Sequence, residues 1–294
     1  MPSFKLINSS WKMKTNRPFF TILTLFVVYS SIAQATTIAP DSFVYRKVGD
    51  VSLNAYVFKP ATKGKAHAAI LLFHGGAWRL GEAAWNFDRA KQFAERGMVA
   101  IAVEYRLANN GLTPIDGVAD ACAAFEWARS MAGKLDIDTR RVAGYGVSAG
   151  GHLIAAAGTI PAINGKAISA QSRPDIMLLY SPALNMAHDG YFVGLMGNKG
   201  NPAEYSPSEY ISSKLPPTLI IQGQQDSIVY TKDAIAFRDA AVKAGAKCAL
   251  FVYPGVGHLL TRNIKIQYKD FDSDPAFVAD AFKRENEFLE GLGY

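Results

Sequence analysis

Cysteine is scarce. Two residues in 294, Cys122 and Cys248, cannot build a disulfide framework. One falls in a helical pattern and the other opens an apolar strand-like run, so both read as small buried residues that do not pair. Histidine is scarce too, at five residues. None stands with Cys, Asp or Glu at the spacing of metal ligands, so no metal or other cofactor is expected. Basic residues are not gathered into a stripe interleaved with aromatics, which leaves nucleic-acid binding without support. The formal net charge of +6 overstates the basic character. Lys5, Lys12, Lys14 and Arg17 stand in the first 35 residues without an acid, and 6 − 4 leaves +2 for the remainder. There is no internal repeat and no low-complexity tract.

What is present describes one globular enzyme-sized unit. Hydrophobic residues make up 49% of the chain and charged residues 19%, enough for one sizeable core and too little charge for a disordered chain. The N-terminus has the plan of a secretory signal. A basic stretch ends at Arg17, an uncharged apolar run follows from Phe19 to Tyr29, and Ala33-Gln34-Ala35 supplies a small-x-small cleavage site. The apolar run is short for a bilayer span. No cysteine follows it to carry a lipid anchor. Residues 1–35 are therefore expected to be a signal peptide and residues 36–294 a catalytic domain, secreted or periplasmic, with no membrane association after cleavage.

Apolar runs then alternate with amphipathic stretches. Residues 44–48 and 51–58 alternate in polarity about Gly49-Asp50 and predict an antiparallel hairpin. Continuous apolar runs at 68–73, 98–103, 141–147, 176–180, 218–221 and 248–253 predict buried, mainly parallel strands. Helices are predicted over 86–96, 115–134, 149–157 and 231–244, with a last one carrying Phe277, Ala281, Phe282 and Leu289. Residues 60–66 read as a turn. The alternation predicts an α/β fold with a mostly parallel, mixed eight-stranded sheet covered by helices on both faces.

Chemistry concentrates at three places. Gly146-Val147-Ser148-Ala149-Gly150 has the form G-x-S-x-G between a predicted strand and a predicted helix. A serine on so sharp a turn needs glycines two residues either side, where backbones approach closely. The turn raises the hydroxyl above the sheet and aims the first N–H groups of the helix at one point. His74-Gly75-Gly76-Ala77-Trp78 follows another buried strand. Two consecutive glycines expose N–H groups, so Gly75, Gly76 and Ala149 are candidate oxyanion donors, and His74 is read as a brace for the loop.

A serine hydroxyl needs a base. His67 lies in an early turn, His152 on the helix beyond Ser148, and His188 in an irregular stretch. His258 follows the last strand, at the sheet edge that faces Ser148, and is the candidate base. Asp226 follows the preceding strand and is the candidate acid. Asp175 precedes its strand, at the wrong edge, and Asp233 reads as a first-turn helix residue. Asp189 also competes. The order Ser148, Asp226, His258 is the order this type of fold uses.

With those residues in place, the chain resembles α/β-hydrolase esterases of the hormone-sensitive-lipase-like and acetyl-xylan/feruloyl-esterase-like groups. The resemblance rests on His74 to Trp78, Glu104-Tyr105-Arg106-Leu107, Asp136-Ile137-Asp138 before Arg140-Arg141, Gly144 to Gly151, Gln222 to Asp226 and Gly257-His258. It runs from about residue 45 to the end. It implies that Ser148 attacks an ester carbonyl, that an acyl-enzyme forms, and that water releases the acid. One departure is the short stretch between the expected cleavage site and His74, which has no room for the helical cap of typical hormone-sensitive-lipase-like enzymes. A small or absent cap and a shallow, open site follow from that, with residues 185–215 as the sole candidate lid.

The function expected is hydrolysis of short-chain acyl esters, acetyl esters among them, on a small molecule or a polysaccharide. Trp78 and Trp85 are candidate substrate-stacking residues. The His-Gly-Gly-x-Trp stretch also looks like that of kynurenine formamidases, which makes an amide or formamide hydrolase the alternative. A prolyl-oligopeptidase-like enzyme would need a propeller domain for which there is no room. A non-catalytic binding protein on the same fold would have no need of a complete triad. Oligomeric state is not legible.

Overall fold

The computed structural model describes residues 39–62 and 66–294. The expected signal segment and the middle of the turn expected at 60–66 lie outside the described residues. The chain opens with β1 (Asp41–Val48) and β2 (Val51–Phe58), antiparallel as the alternating polarity requires. The register slips between Val44 and Arg46, a bulge that turns Tyr45 inward. β3 (His67–Phe73), α1 (Phe87–Glu95), β4 (Val99–Val103) and α2 (Pro114–Ser130) follow. α2 begins at a capping box in which Thr113 and Asp116 satisfy each other's backbone ends, with Pro114 in the first turn.

The helix expected over 115–134 is broken. It stops at Ser130, and α3 (Ala132–Leu135) is a separate turn that ends on Asp136 in a left-handed conformation. β5 (Ile137–Val147) starts four residues before the apolar run begins. Its first half carries Asp138, Arg140 and Arg141, which pair with one another at the partly exposed margin of the sheet. α4 (Ala149–Thr159) leads to a two-residue hairpin, β6 (Ala162–Ile163) with β7 (Lys166–Ala167). β8 (Ile176–Tyr180), α5 (Gly190–Met196), β9 (Thr218–Gly223), α6 (Thr231–Lys243), β10 (Cys248–Tyr253) and α7 (Pro275–Glu290) complete the order.

The main sheet has eight strands in the order β1-β2-β4-β3-β5-β8-β9-β10. β2 runs antiparallel to both neighbours, and every pair from β4 to β10 is parallel. This is the mixed α/β-hydrolase sheet expected. The inner strands are buried on both faces, which is why they read as unbroken apolar runs. In β3, Ala69, Leu71 and Phe73 join a core formed with α2, α4, α5 and α6. Ala68, Ile70 and Leu72 join the opposite core with α1 and α7. Phe58, Phe73, Phe93, Phe125 and Phe237 are fully buried, and each stabilises by roughly 1.5–3 kcal/mol. Cys122 and Cys248 are free thiols, and burial raises both to about 12.

The strand order places β3 and β5 side by side at the centre, with β4 beyond one and β8 beyond the other. Chain direction across the sheet reverses there. The crevice above the carboxyl ends of such strands is where open α/β sheets place their sites.

Candidate active site

Ser148 stands between the last residue of β5 and the first of α4, with φ 52° and ψ −113°. No ordinary L-residue rests there. Glycine spacing makes the turn possible. A Cβ on Gly146 would lie 2.4 Å from the Gly150 carbonyl oxygen, and one on Gly150 would lie 2.2 Å from that of Phe73. The Ser148 N–H donates to the Tyr180 carbonyl at 2.9 Å, anchoring the turn to β8.

Four loops at the same sheet edge converge on this serine. His258 Nε2 lies 3.0 Å from Ser148 Oγ, and His258 Nδ1 lies 2.8 Å from Asp226 Oδ2. All three side chains are buried. Asp226 is held on every side. Its Oδ1 accepts from the N–H groups of Ile228 and Val229, and its Oδ2 also accepts from Gln222 Nε2 at 3.0 Å. With no polar competitor left for the carboxylate, its free direction is the imidazole.

The glycine loop after β3 lies against the same serine. A Cβ on Gly75 would be 3.3 Å from Ser148 Cβ, so glycine is what lets this backbone reach the Ser148 turn. Gly76 has φ 112°, and Gly75, Gly76 and Ser148 all line one cavity. Ala149 is the first residue of α4, where a helical N–H has no intrahelical partner. His74 is the brace the sequence predicts. It is buried, stacks on Tyr105 with ring centroids 4.3 Å apart, and its Nδ1 bonds the Gly75 carbonyl. Burial lowers its pKa to about 4, so it is neutral near neutral pH.

Behind it, Tyr105 OH donates to the His74 carbonyl, and Arg106 clasps the fully buried Asp120 through Nε, Nη2 and its own backbone N–H. The Glu104-Tyr105-Arg106-Leu107 stretch thus ties the glycine loop to α2.

His152 does not reach the cavity. Its Nδ1 accepts from Trp78 Nε1 at 3.1 Å, its Nε2 bonds the Tyr205 carbonyl, and burial lowers its pKa to about 4. That geometry corrects the reading of Trp78 as a substrate-stacking residue. Its backbone is left-handed at φ 60°, and the indole turns inward against His152 and Phe192. Trp85 does line the cavity, and the residue is 60% exposed. His67 bonds the Gly97 carbonyl, and His188 is exposed. Asp175 binds Arg129 and the Val142 N–H at the far edge of the sheet, and Asp189 caps α5.

The cavity holds about 720 Å³, more than the shallow site expected. Besides the residues named, Leu80, Asn86, Tyr191, Ile228, Leu259, Tyr268 and Phe271 line it. The 185–215 segment divides between two roles. Phe192 and Met196 are buried in the core, while Tyr191 projects at the cavity wall. Sequence reasoning missed Tyr268 and Phe271, which sit in the irregular stretch between β10 and α7. It also missed Gln267 beside them. Gln267 Oε1 accepts from the N–H groups of Ser227 and His258, and its Nε2 donates to the carbonyls of Gln225 and Ile264. One buried amide staples the Asp226 loop to the His258 loop.

Backbone strain gathers at the same end. Among the described residues, nine non-glycine residues have positive φ. Three are Asn110, Asp136 and Asn164, types that tolerate this region. Of the other six, Ala77, Ser148 and Leu259 line the cavity, Trp78 and Leu260 follow two of them in the chain, and Ser181 accepts from the Leu259 N–H. No group of residues able to hold a metal ion occurs among those described.

Comparison with known proteins is consistent with this geometry. The BD-FAE family model matches residues 56–177. An arylesterase of Saccharolobus solfataricus is 29% identical over 216 residues, 65% of this chain and 68% of that protein. An acetylxylan esterase of Xylanibacter ruminicola is 27% identical over 195 residues, 63% of this chain and 39% of that protein. Among solved structures, a thermophilic esterase of Thermogutta terrifontis is 31% identical, with a TM-score of 0.76, over 87% of this chain and 93% of that one. The same esterase has also been solved with butyrate bound.

Proposed function

The chain belongs to the α/β-hydrolase esterases of the hormone-sensitive-lipase and acetylxylan-esterase type and is a carboxylic ester hydrolase; from that premise we propose that it cleaves short-chain acyl esters through Ser148, His258 and Asp226. The observation that carries the reading is the continuous hydrogen-bonded line from Ser148 Oγ through the His258 ring to Asp226 Oδ2.

Ser148 Oγ attacks the ester carbonyl carbon while its proton passes to His258 Nε2. Asp226 accepts from Nδ1–H and stabilises the imidazolium that forms. Charge develops on the former carbonyl oxygen, and the N–H groups of Gly75, Gly76 and Ala149 receive it. The carbon–oxygen bond to the alcohol breaks, and the alcohol leaves with the proton from His258. Water then attacks the acyl-serine with His258 again as base, which releases the carboxylic acid and restores Ser148.

The size and lining of the cavity support a short acyl chain with an apolar alcohol half. About 720 Å³ is ample for an acyl group of a few carbons together with an aryl ring. The rim of Leu80, Trp85, Tyr191, Tyr268 and Phe271 offers mainly rings and methyls, which suit an aryl or other apolar alcohol. Export is part of the same proposal and rests on the N-terminal pattern of residues 1–35.

The test is hydrolysis of p-nitrophenyl esters of increasing acyl length by residues 36–294, beside Ser148→Ala. Activity on acetate to butyrate that falls beyond butyrate, with a loss of at least about 10³-fold in the variant, is the expected result. Equal rates in the variant refute the assignment of Ser148. Folded protein inert on every ester refutes the esterase function.

A further inference from the structure

Ser181 is the first residue beyond β8. It is wholly buried, and its φ of 45° is one that glycine adopts freely and serine does not. Glycine there would spare the strain but would carry no hydroxyl. The hydroxyl has a specific contact. Ser181 Oγ accepts from the N–H of Leu259 at 3.1 Å, and Leu259 directly follows His258. Leu259 is itself left-handed at φ 55°, and its carbonyl accepts from Ser273 Oγ at 2.7 Å. The residue after His258 is thus fastened at both backbone groups by side chains. One residue back along β8, the Tyr180 carbonyl accepts from the Ser148 N–H at 2.9 Å. The Ser181 N–H donates to the Ile221 carbonyl of β9, which ties this point to the sheet. Two consecutive residues at the end of one buried strand therefore hold the turn of Ser148 and the loop of His258.

We propose that Ser181 is a positioning residue that fixes the reach of His258 to Ser148. The 3.0 Å between Ser148 Oγ and His258 Nε2 is then set from one rigid strand end and not between two independent loops. Gln267 holds the N–H of His258, and Ser181 holds the next N–H along the chain. With successive peptides gripped, the imidazole turns only about its own side-chain bonds, where Asp226 orients it. This rests on the reading of Ser148 and His258 as the nucleophile and base of an esterase. Without Oγ, the Leu259 N–H loses its acceptor, its peptide is free to rotate, and the imidazole moves with it. A displacement of about 1 Å in a catalytic group costs on the order of 10²-fold in rate.

The experiment measures kcat and KM on p-nitrophenyl acetate and p-nitrophenyl butyrate for the wild type, Ser181→Ala and Ser181→Gly, beside urea denaturation of each. Alanine keeps the Cβ and removes only the acceptor. Glycine also relieves the positive φ, which offsets the lost bond, so its urea midpoint is expected to lie close to that of the wild type. In both variants kcat is expected to fall about tenfold to a hundredfold, by the same factor on both esters, with KM within about threefold of wild type.

A kcat within about twofold of wild type in a folded variant overturns the proposal. So does a change confined to KM, or a loss that differs several-fold between the two esters. Either marks Ser181 as shaping the cavity wall through Leu259, which lines it. If neither variant folds, the wild type decides alone. Its Leu259 N–H is expected to exchange with deuterium as slowly as the N–H groups of β8, and exchange at the rate of an open loop overturns the proposal. A wild type inert on both esters defeats the esterase reading itself, whereas an active wild type with unaffected variants defeats only the role of Ser181.

Discussion

Gln267→Leu is predicted to separate the two loops that carry His258 and Asp226, the proposed base and acid. Four backbone groups depend on this amide, one buried and three partly buried: the N–H groups of His258 and Ser227, and the carbonyls of Gln225 and Ile264. Leucine fills the space and satisfies none of them. An unsatisfied buried group costs about 1–3 kcal/mol, and the three partly buried groups can turn to water, so a net loss of about 2–3 kcal/mol is expected. The position is close-packed, since a Cβ on Gly257 would meet Gln267 Oε1 at 2.6 Å.

The catalytic consequence follows from geometry. His258 holds its place partly through its own N–H, and a displacement of about 1 Å in a catalytic group is worth about 10²-fold in rate. Urea denaturation and steady-state hydrolysis of a short aryl ester measure the two effects. Gln267→Leu is expected to lower kcat far more than it raises KM, because the residue does not line the cavity. Gln267→Glu keeps an acceptor for the two N–H groups and should recover part of kcat. A destabilisation below about 1 kcal/mol together with kcat within twofold of wild type refutes the staple.

Two further predictions rest on burial and backbone contact. His74 and His152, both held neutral with pKa values near 4, make the native state bind fewer protons than the unfolded chain between about pH 4 and 6.5. Their stabilisation is complete above 6.5 and is lost as pH falls, by roughly 3 kcal/mol for each. Glu285, raised by burial to about 7, acts in the opposite sense, and its contribution is lost as pH rises from about 4.5 to 7. Urea midpoints are therefore expected to peak between pH 6 and 7, and midpoints that stay level down to pH 4.5 contradict neutral burial of the histidines. Gly146→Ala drives a Cβ to 2.4 Å from the Gly150 carbonyl and is expected to cost more than about 3 kcal/mol and to abolish activity. A folded, active variant in the same assays shows that the turn relaxes.

The turn at Ser148 was legible because its steric demand leaves a mark on the sequence: glycines at 144, 146, 150 and 151 stand where side chains would collide with backbone or neighbours. The inner strands were legible because burial on both faces removes polar residues altogether. The first half of β5 was not, because Asp138 to Arg141 lie at the sheet margin and pair with one another in place of packing. The break at Met131 left no proline or glycine at the break itself. Trp78 misled because residue type says nothing of direction, and a left-handed backbone sent the indole away from the cavity. Gln267, Tyr268 and Phe271 lie in a stretch without periodicity, and their importance comes from which loops they touch.

The six positive-φ residues at and beside the cavity have a consequence for how this molecule can change. Each holds a conformation that costs about 1–2 kcal/mol, so together they offset an amount comparable with the net stability of a whole domain. The catalytic end is the least relaxed part of the fold, and the double-sided core beneath it is the ballast that keeps it taut. Substitutions that soften the core far from Ser148 will therefore show first as a loss of catalytic alignment. Substitutions that deepen the core create room for new loops at the rim.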